Sequence, residues 1–143
     1  MRTRNLIALL AIAASSSACI VDINSPDARH DGTDNPTVAN IPAVSLSSQN
    51  FAFAVLGNNF AYEQEYVTSI QSSDLRLAVA VSQYSAGSAR LEVRDATNAL
   101  VYAQQYAGNV AQSIDQVRGS APFRVRVVFS TFTGTFAASL TPR

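Results

Sequence analysis

The feature that most constrains the fold is a two-residue alternation of apolar and polar side chains, which begins after Ile41. It is clearest over residues 75–82, 90–95 and 123–130, where for example Leu75 and Leu77 flank Arg76. Successive side chains of a β-strand point to opposite faces, so this pattern places one set in a core and the other in water. The sequence therefore predicts an all-β domain.

Short segments rich in Gly, Asn, Ser and Asp separate the alternating runs, and the resulting strand spacing of roughly ten residues is typical of sandwiches and barrels. The expected strands are 43–47, 51–56, 60–70, 75–82, 90–95, 100–106, 110–117, 123–130 and 135–140. The expected turns are 57–59, 72–74, 85–87, 97–98, 108–109 and 119–122, with 133–134 turning the last hairpin. Residues 109–117 also show helix-like spacing, but we expect strand or irregular structure there. We predict a small antiparallel β-sandwich of about seven to nine strands.

The order of these segments also resembles a known kind of domain. Residues 91–95 are followed by a turn and then by 100–102, and a later run, 123–127, leads into 134–136. This order resembles small β-sandwich modules of exported bacterial proteins, including immunoglobulin-like and pre-peptidase C-terminal-type domains. The resemblance implies a fold and carries no functional residue, since such scaffolds host unrelated functions.

The first nineteen residues read as an export signal. Two arginines precede an apolar run over residues 6–14, and small residues then lead to Cys19, the only cysteine. The run is shorter than the about 20 residues that a spanning helix needs. Ser16-Ser17-Ala18-Cys19 resembles the lipobox of bacterial lipoproteins, although that family prefers leucine where Ser16 stands. The resemblance implies cleavage before Cys19 and lipidation of its thiol.

The alternative is an ordinary signal-peptidase cut, which leaves a free thiol on Cys19. Ile20 follows the cysteine where lipoproteins held at an inner membrane tend to have aspartate, so the resemblance implies an outer-membrane location in a cell with two membranes. We predict a signal peptide over 1–18, a lipidated N-terminus and flexible linker over 19–40, and the β domain over 41–143.

Charge and motif content narrow the function classes. Ten basic residues balance ten acidic ones, and no basic stretch interleaved with aromatic residues is present, so we expect no nucleic-acid partner. No phosphate-binding loop, zinc spacing or nucleophile motif occurs. The only histidine, His30, lies in the linker without obvious partners, so we expect neither metal nor cofactor.

Four side chains form the predicted binding face: Tyr62, Tyr66, Arg124 and Arg126. Exposed tyrosines can stack on sugars or anchor a protein, and arginines can hold carboxylates or phosphates. If the strands are neighbours, the arginines form a mixed charge ladder with Glu63, Glu65 and residues 90–94.

The predicted function is a non-catalytic lipoprotein, anchored in the membrane, whose sandwich serves as a binding or structural module for an envelope protein or polysaccharide. The alternative is a carbohydrate-binding module. A third hypothesis is a glycoside or ester hydrolase that uses Glu63 or Asp95.

Overall fold

The computed structural model describes residues 38–143, and in this part of the chain all regular structure is β-strand. The strands are β1 (Ala43–Leu46), β2 (Phe51–Val67), β3 (Asp74–Arg94), β4 (Leu100–Tyr106), β5 (Val110–Arg118) and β6 (Arg124–Pro142). They form one antiparallel sheet in the order β1-β2-β6-β3-β4, and β5 pairs with β3 as well. The predicted all-β, antiparallel class is confirmed. The described residues contain no helix that is long and hydrophobic enough to span a membrane.

The three long strands β2, β3 and β6 bend near their middles, which divides the sheet into two halves. The first half-sheet contains β1, β5 and residues 51–57, 74–82 and 134–142, and the second contains β4 and residues 60–67, 88–94 and 124–132. The two halves face each other, since the ring centroids of Phe53 in the first and Phe129 in the second are 5.7 Å apart.

The bends are β-bulges. Each long strand has one non-glycine residue with positive φ at this point: Asn59 at 51°, Gln83 at 53° and Thr131 at 47°. The pairing register slips at the same places in β2 and β3. A bulge adds an unpaired residue to one strand and turns it sharply, so three adjacent bulges fold the whole sheet at one line.

The expected count of seven to nine strands is wrong for the described residues, which form six. Three expected turns, at 57–59, 85–87 and 133–134, lie inside β2, β3 and β6 as bends of continuous strands. The same Gly and Asn residues that make hairpin turns also make bulges, so composition alone does not distinguish the two. The expected turns at 72–74, 97–98, 108–109 and 119–122 do separate strands, and 110–117 is a strand.

The core lies between the two half-sheets and is strongly aromatic. All seven phenylalanines are at most 5% exposed. Five of them form a cluster of ring contacts across the bend, with 5.2 Å between the ring centroids of Phe129 and Phe136; the five are Phe53, Phe60, Phe129, Phe132 and Phe136. The apolar members of the alternating runs, such as Leu77 and Val127, fill the same space. The apolar positions of the alternating runs are therefore buried, as the sequence predicts.

The outward faces of the two half-sheets differ in chemistry. Two rows of small residues cross the first half-sheet through all five of its strands: Ser45, Ala52, Ser139, Ala78 and Ser113, and then Ala43, Ala54, Ala137, Ala80 and Ala111. The corresponding rows of the second half-sheet carry arginine and glutamate. The charged side chains therefore make the second half-sheet the candidate functional surface.

Candidate functional site

Seven charged side chains cover the outward face of the second half-sheet, and we call this set the charged face. Its members are Glu63, Glu65, Arg90, Glu92, Arg94, Arg124 and Arg126. In the middle row, Arg126 lies directly between Glu65 on β2 and Glu92 on β3. The strands are thus the neighbours that the predicted mixed charge ladder requires.

Glu92 is the centre of the charged face and is only 5% exposed. Its Oε1 accepts a hydrogen bond of 2.7 Å from Arg90 Nε, while its buried Oε2 lies 3.5 Å from Arg126 Nη1 and 3.9 Å from Arg94 Nη2. The Arg90 hydrogen bond lowers the pKa of Glu92 against the opposing effect of burial. One buried carboxylate therefore hydrogen-bonds one guanidinium group and lies within ion-pair distance of two more, and its Oε2 makes no hydrogen bond within the described residues.

Arg126 is the most fully paired arginine of the charged face. Its Nε donates to Glu63 Oε1 at 3.2 Å, its Nη2 donates to the same oxygen, and its Nη1 faces Glu92. The hydrogen bonds to Glu63 raise the pKa of Arg126. Because exposed ion pairs contribute only about 0.2–1 kcal/mol each, these contacts orient the side chains more than they stabilise the fold.

Arg124 and Arg94 form the next row, where two like charges are direct cross-strand neighbours. Val67 lies beside Arg124 and Leu100 beside Arg94, so an aliphatic side chain ends the row on each side. Val67 is 56% exposed and Leu100 49% exposed. This row joins cationic and apolar surface in one line across four strands.

An open, shallow cavity of about 510 Å³ lies on this side of the molecule. It is lined by Glu63, Gln64, Glu65, Arg94, Asn98 and Arg126. The lining offers both donors and acceptors of hydrogen bonds and no aromatic ring. Such a surface suits a hydroxyl-rich or ionic ligand better than an apolar one.

The tyrosines of the predicted binding face lie on the other side of the sheet. Tyr62 pairs with Phe129 and Tyr66 with Val125, both of which point into the core. The two hydroxyls are 2.7 Å apart and the rings pack on phenylalanines, so both side chains are half-buried at the open edge between the half-sheets. Burial, together with the Tyr62 hydrogen bond, raises the pKa of Tyr66.

A second tyrosine pair closes the opposite edge between the half-sheets. The hydroxyls of Tyr102 and Tyr106 on β4 are 2.7 Å apart, and Gln112 on β5 donates from Nε2 to both, at 3.1 and 2.7 Å. Burial, followed by the Tyr102 hydrogen bond, raises the pKa of Tyr106. These hydroxyls satisfy each other and join β4 to β5, which is a structural role.

Asp95, one of the two carboxylates considered for a hydrolase, organises the turn after β3. Its Oδ1 accepts hydrogen bonds from Thr97 N at 2.9 Å, Thr97 Oγ1 at 2.6 Å and Ala99 N at 3.0 Å, and its Oδ2 accepts one from Ser120 N at 3.2 Å. These bonds, the Thr97 hydroxyl first, lower the pKa of Asp95. Its acceptor positions are taken by this turn and by Ser120 N in the loop between β5 and β6.

The structure therefore divides the four predicted binding residues between opposite faces. Arg124 and Arg126 belong to the charged face, whereas Tyr62 and Tyr66 point inward, so the four do not form one continuous surface. Their roles in binding stay predictions. Cys19 and His30 lie outside the described residues. Among the described residues, no group of carboxylate, histidine or cysteine side chains is arranged to hold a metal ion.

Four residues at this site were not singled out from the sequence: Gln64, Val67, Asn98 and Leu100. Val67 is an apolar residue at an outward position of its strand, and Leu100 opens a strand right after a turn. An apolar residue that falls at a polar position of the alternation can indicate an exposed contact surface. This signal is usable only when the pairing register of the strands is known.

Neither a protein-family model nor a curated protein matches this chain. Among solved structures, the chain is similar to TmCBM61 in complex with beta-1,4-galactotriose, a structure determined at 1.4 Å resolution. The TM-score is 0.39, the sequence identity is 12%, and the match covers 71% of this chain and 70% of that one. A similarity at this level carries no information about the ligand of this chain.

Proposed function

We propose that this protein is an exported, non-catalytic binding module, held at the membrane by lipid on Cys19, whose charged face binds a polysaccharide of the cell envelope. The observation that carries the proposal is the arrangement around Glu92, where one buried carboxylate presents three arginines beside a shallow polar cavity. Groups fixed in this way lose little side-chain freedom when a ligand binds.

The chemistry of the charged face favours a polysaccharide over a protein partner. The centre of a protein–protein interface is typically depleted of charged residues and enriched in aromatic ones. Here the centre is arginine and glutamate, and Tyr62 and Tyr66 point into the core. Hydroxyl-rich ligands, by contrast, match a surface of fixed donors and acceptors.

The contacts and placement of the carboxylates favour a non-catalytic role. Glu63 binds Arg126 and Glu65 lies 3.7 Å from Arg124, and both project from one strand instead of flanking a bond from two sides. The other candidate, Asp95, is engaged by its turn. Lipid attachment raises the local concentration of the module at the envelope, so a weak site suffices.

The test uses the full mature chain in detergent on an array of neutral and acidic envelope glycans. We expect binding to at least one polysaccharide and no release of new reducing ends from it. Arg126→Gln should weaken binding by at least about tenfold, which is the effect of losing a charge-assisted hydrogen bond. The control is Arg76→Gln, on the first half-sheet, which should bind normally.

If the protein binds none of the glycans on the array, the proposed function is wrong. Capture of an envelope protein through the charged face, lost in Arg126→Gln, would replace the polysaccharide with a protein partner.

A further inference from the structure

We propose that Arg94 and Arg124 form a site for a singly charged oxyanion, a carboxylate or a sulfate ester, carried by the polysaccharide ligand. The inference rests on the proposed function and deepens it by naming the ligand chemistry. Arg94 and Arg124 are direct cross-strand partners, and Cβ atoms in such pairs are about 4.5–5.5 Å apart. Like charges at this position repel, and an anion between them removes the repulsion.

The two arginines keep more hydrogen-bonding capacity than Arg126, whose Nε and Nη2 donate to Glu63. Within the described residues, Arg124 makes no hydrogen bond with its side chain, and its nearest carboxylate oxygen is Glu65 Oε1 at 3.7 Å from Nη1. Arg94 donates one bond, from Nη1 to the backbone oxygen of Asn98 at 3.1 Å, and its Nη2 is 3.9 Å from Glu92 Oε2. Each guanidinium has five N–H donors, so most remain available to a ligand.

The turn that follows β3 orients the site. Asn98 has φ at 67° and lies in the turn that the Asp95 carboxylate organises, so its backbone oxygen is held where Arg94 reaches it. Arg94 is therefore positioned by its hydrogen bond to the turn, and the Glu92 carboxylate attracts it from the other side at 3.9 Å. A guanidinium fixed in this way binds an oxyanion without first losing side-chain freedom.

The ends of the row indicate what surrounds the anion. Val67 and Leu100 are about half exposed and lie beside the two arginines, one on each side. Aliphatic side chains pack on the C–H surfaces of a sugar ring, while the guanidinium forks bind its acidic substituent. Three interstrand spacings of about 4.8 Å separate Val67 from Leu100, so a single ion uses only the arginines, whereas a polysaccharide also reaches the aliphatic side chains with the sugars that neighbour the acidic one.

The charge of the whole face indicates one negative charge per site. Four arginines and three glutamates make up the charged face, so its excess is a single positive charge. A monoanion neutralises that excess. A phosphate dianion adds a further negative charge beside Glu65 and Glu92, which is unfavourable.

The test compares four polysaccharides with the full lipidated chain in detergent: polygalacturonate, its fully methyl-esterified form, dextran sulfate and dextran. Esterification removes the charge and leaves the sugar backbone, so it is the matched ligand control. We expect binding to polygalacturonate or to dextran sulfate, at least about tenfold weaker binding by Arg94→Gln and by Arg124→Gln, and weaker binding at high salt. Which polymer binds distinguishes the carboxylate from the sulfate ester.

Folding is monitored by thermal unfolding of each variant. The double variant R94Q/R124Q loses a like-charge pair together with the Arg94 hydrogen bond to Asn98 and the ion pairs with Glu92 and Glu65, so we expect its unfolding temperature to stay within a few degrees of the parent's. A loss of binding in a variant that unfolds in this range is not a loss of fold. The protein control is Arg76→Gln, whose partner Asp115 lies on the first half-sheet.

The outcomes separate the inference from the proposed function. Equal binding of the esterified and acidic polymers, or acidic binding that survives R94Q/R124Q, overturns the oxyanion site and leaves a polysaccharide module. No binding to any of these polymers or to any glycan of the array overturns both.

Discussion

The two buried carboxylates of the described chain, Glu92 and Asp95, are three positions apart and serve different purposes. Glu92 faces outward and takes its partners from arginine side chains on β3 and β6. Asp95 takes its partners mainly from backbone N–H groups and the Thr97 hydroxyl. The pKa of Asp95 is lowered because the carboxylate accepts several hydrogen bonds, whereas the pKa of Glu92 is lowered by the single Arg90 hydrogen bond and by the charges of the neighbouring arginines.

We expect the contribution of Asp95 to the thermal stability of the protein to depend on pH. Asparagine at position 95 keeps one acceptor oxygen but turns its amide N–H towards Ser120 N, so Asp95→Asn should lower the thermal midpoint by several degrees at pH 7. The pKa of Asp95 is lowered on folding, so its stabilisation is complete above the unfolded pKa and is lost as pH falls through the folded value. The difference in thermal midpoint between the parent and Asp95→Asn should therefore become smaller below about pH 4.

Thermal unfolding between pH 2 and pH 8 measures this difference. The control is Asp115→Asn, which removes an exposed pair with Arg76 and should change the midpoint little. A difference in midpoint that stays constant down to pH 2 would contradict a stabilising role for the charged form of Asp95.

The bends of the long strands matter most among the elements, because they turn one sheet into two facing halves. The extra residues of the bulges leave backbone groups unpaired in the ladder, and nearby groups satisfy them. Asn59 N donates to Thr133 Oγ1 at 3.0 Å, and Tyr84 N donates to Asn109 Oδ1 at 2.9 Å. The Tyr84 hydroxyl also donates to the backbone oxygen of Gly87 at 2.9 Å. Side chains therefore support the bend.

Gly87, at the bend of β3, offers the sharpest test of this arrangement. Its φ is 76°, and a Cβ there meets the backbone oxygens of Ser130 and Thr131 on β6. We expect Gly87→Ala to cost at least about 1–3 kcal/mol in the free energy of unfolding from backbone strain alone. Chemical denaturation measures it, with Gly108→Ala as control, since a Cβ at Gly108 meets nothing within 4 Å. Equal stability of the two variants would show that the bend does not need glycine.

At the scale of the whole molecule, the two outward faces give the protein two chemically different sides. The first half-sheet presents rows of alanine and serine, and the second presents the charged face. The proposed anchor precedes β1 in the chain by more than twenty residues, and a linker over 19–40 that is flexible, as the sequence predicts, would give either side the reach to meet the envelope.

The anchor itself is tested on the intact chain. Because two or three acyl chains give stable attachment where one does not, we expect the parent protein in the detergent phase of a phase partition and Cys19→Ala in the aqueous phase. Mass spectrometry of the mature N-terminal peptide measures the added lipid. Ser15→Ala, which keeps the small-residue character before the cleavage site, is the control and should partition like the parent. An unmodified Cys19 in the parent points to the ordinary signal-peptidase cut.

The sequence by itself determined the all-β class, the core and the turns between strands, because side-chain alternation and turn composition are local properties of a strand. Leu77 and Val127 are buried as their alternation predicts, and 97–98 and 108–109 separate strands. It also indicated the charge ladder, since the arginines and glutamates occupy the polar positions of their strands.

Only the tertiary structure decided whether a Gly/Asn segment ends a strand or bends it, because a bulge depends on the neighbouring strand's register. Gly57, Gly87 and Gly134 therefore lie within strands. Register also decided that Tyr62 and Tyr66 share the inner face with Val125, while Arg124 pairs with Arg94 on the outer one. The alternation within one strand indicates which face a residue occupies, but the residue that lies opposite it depends on how two strands pair, and no pattern within a single strand specifies that partner.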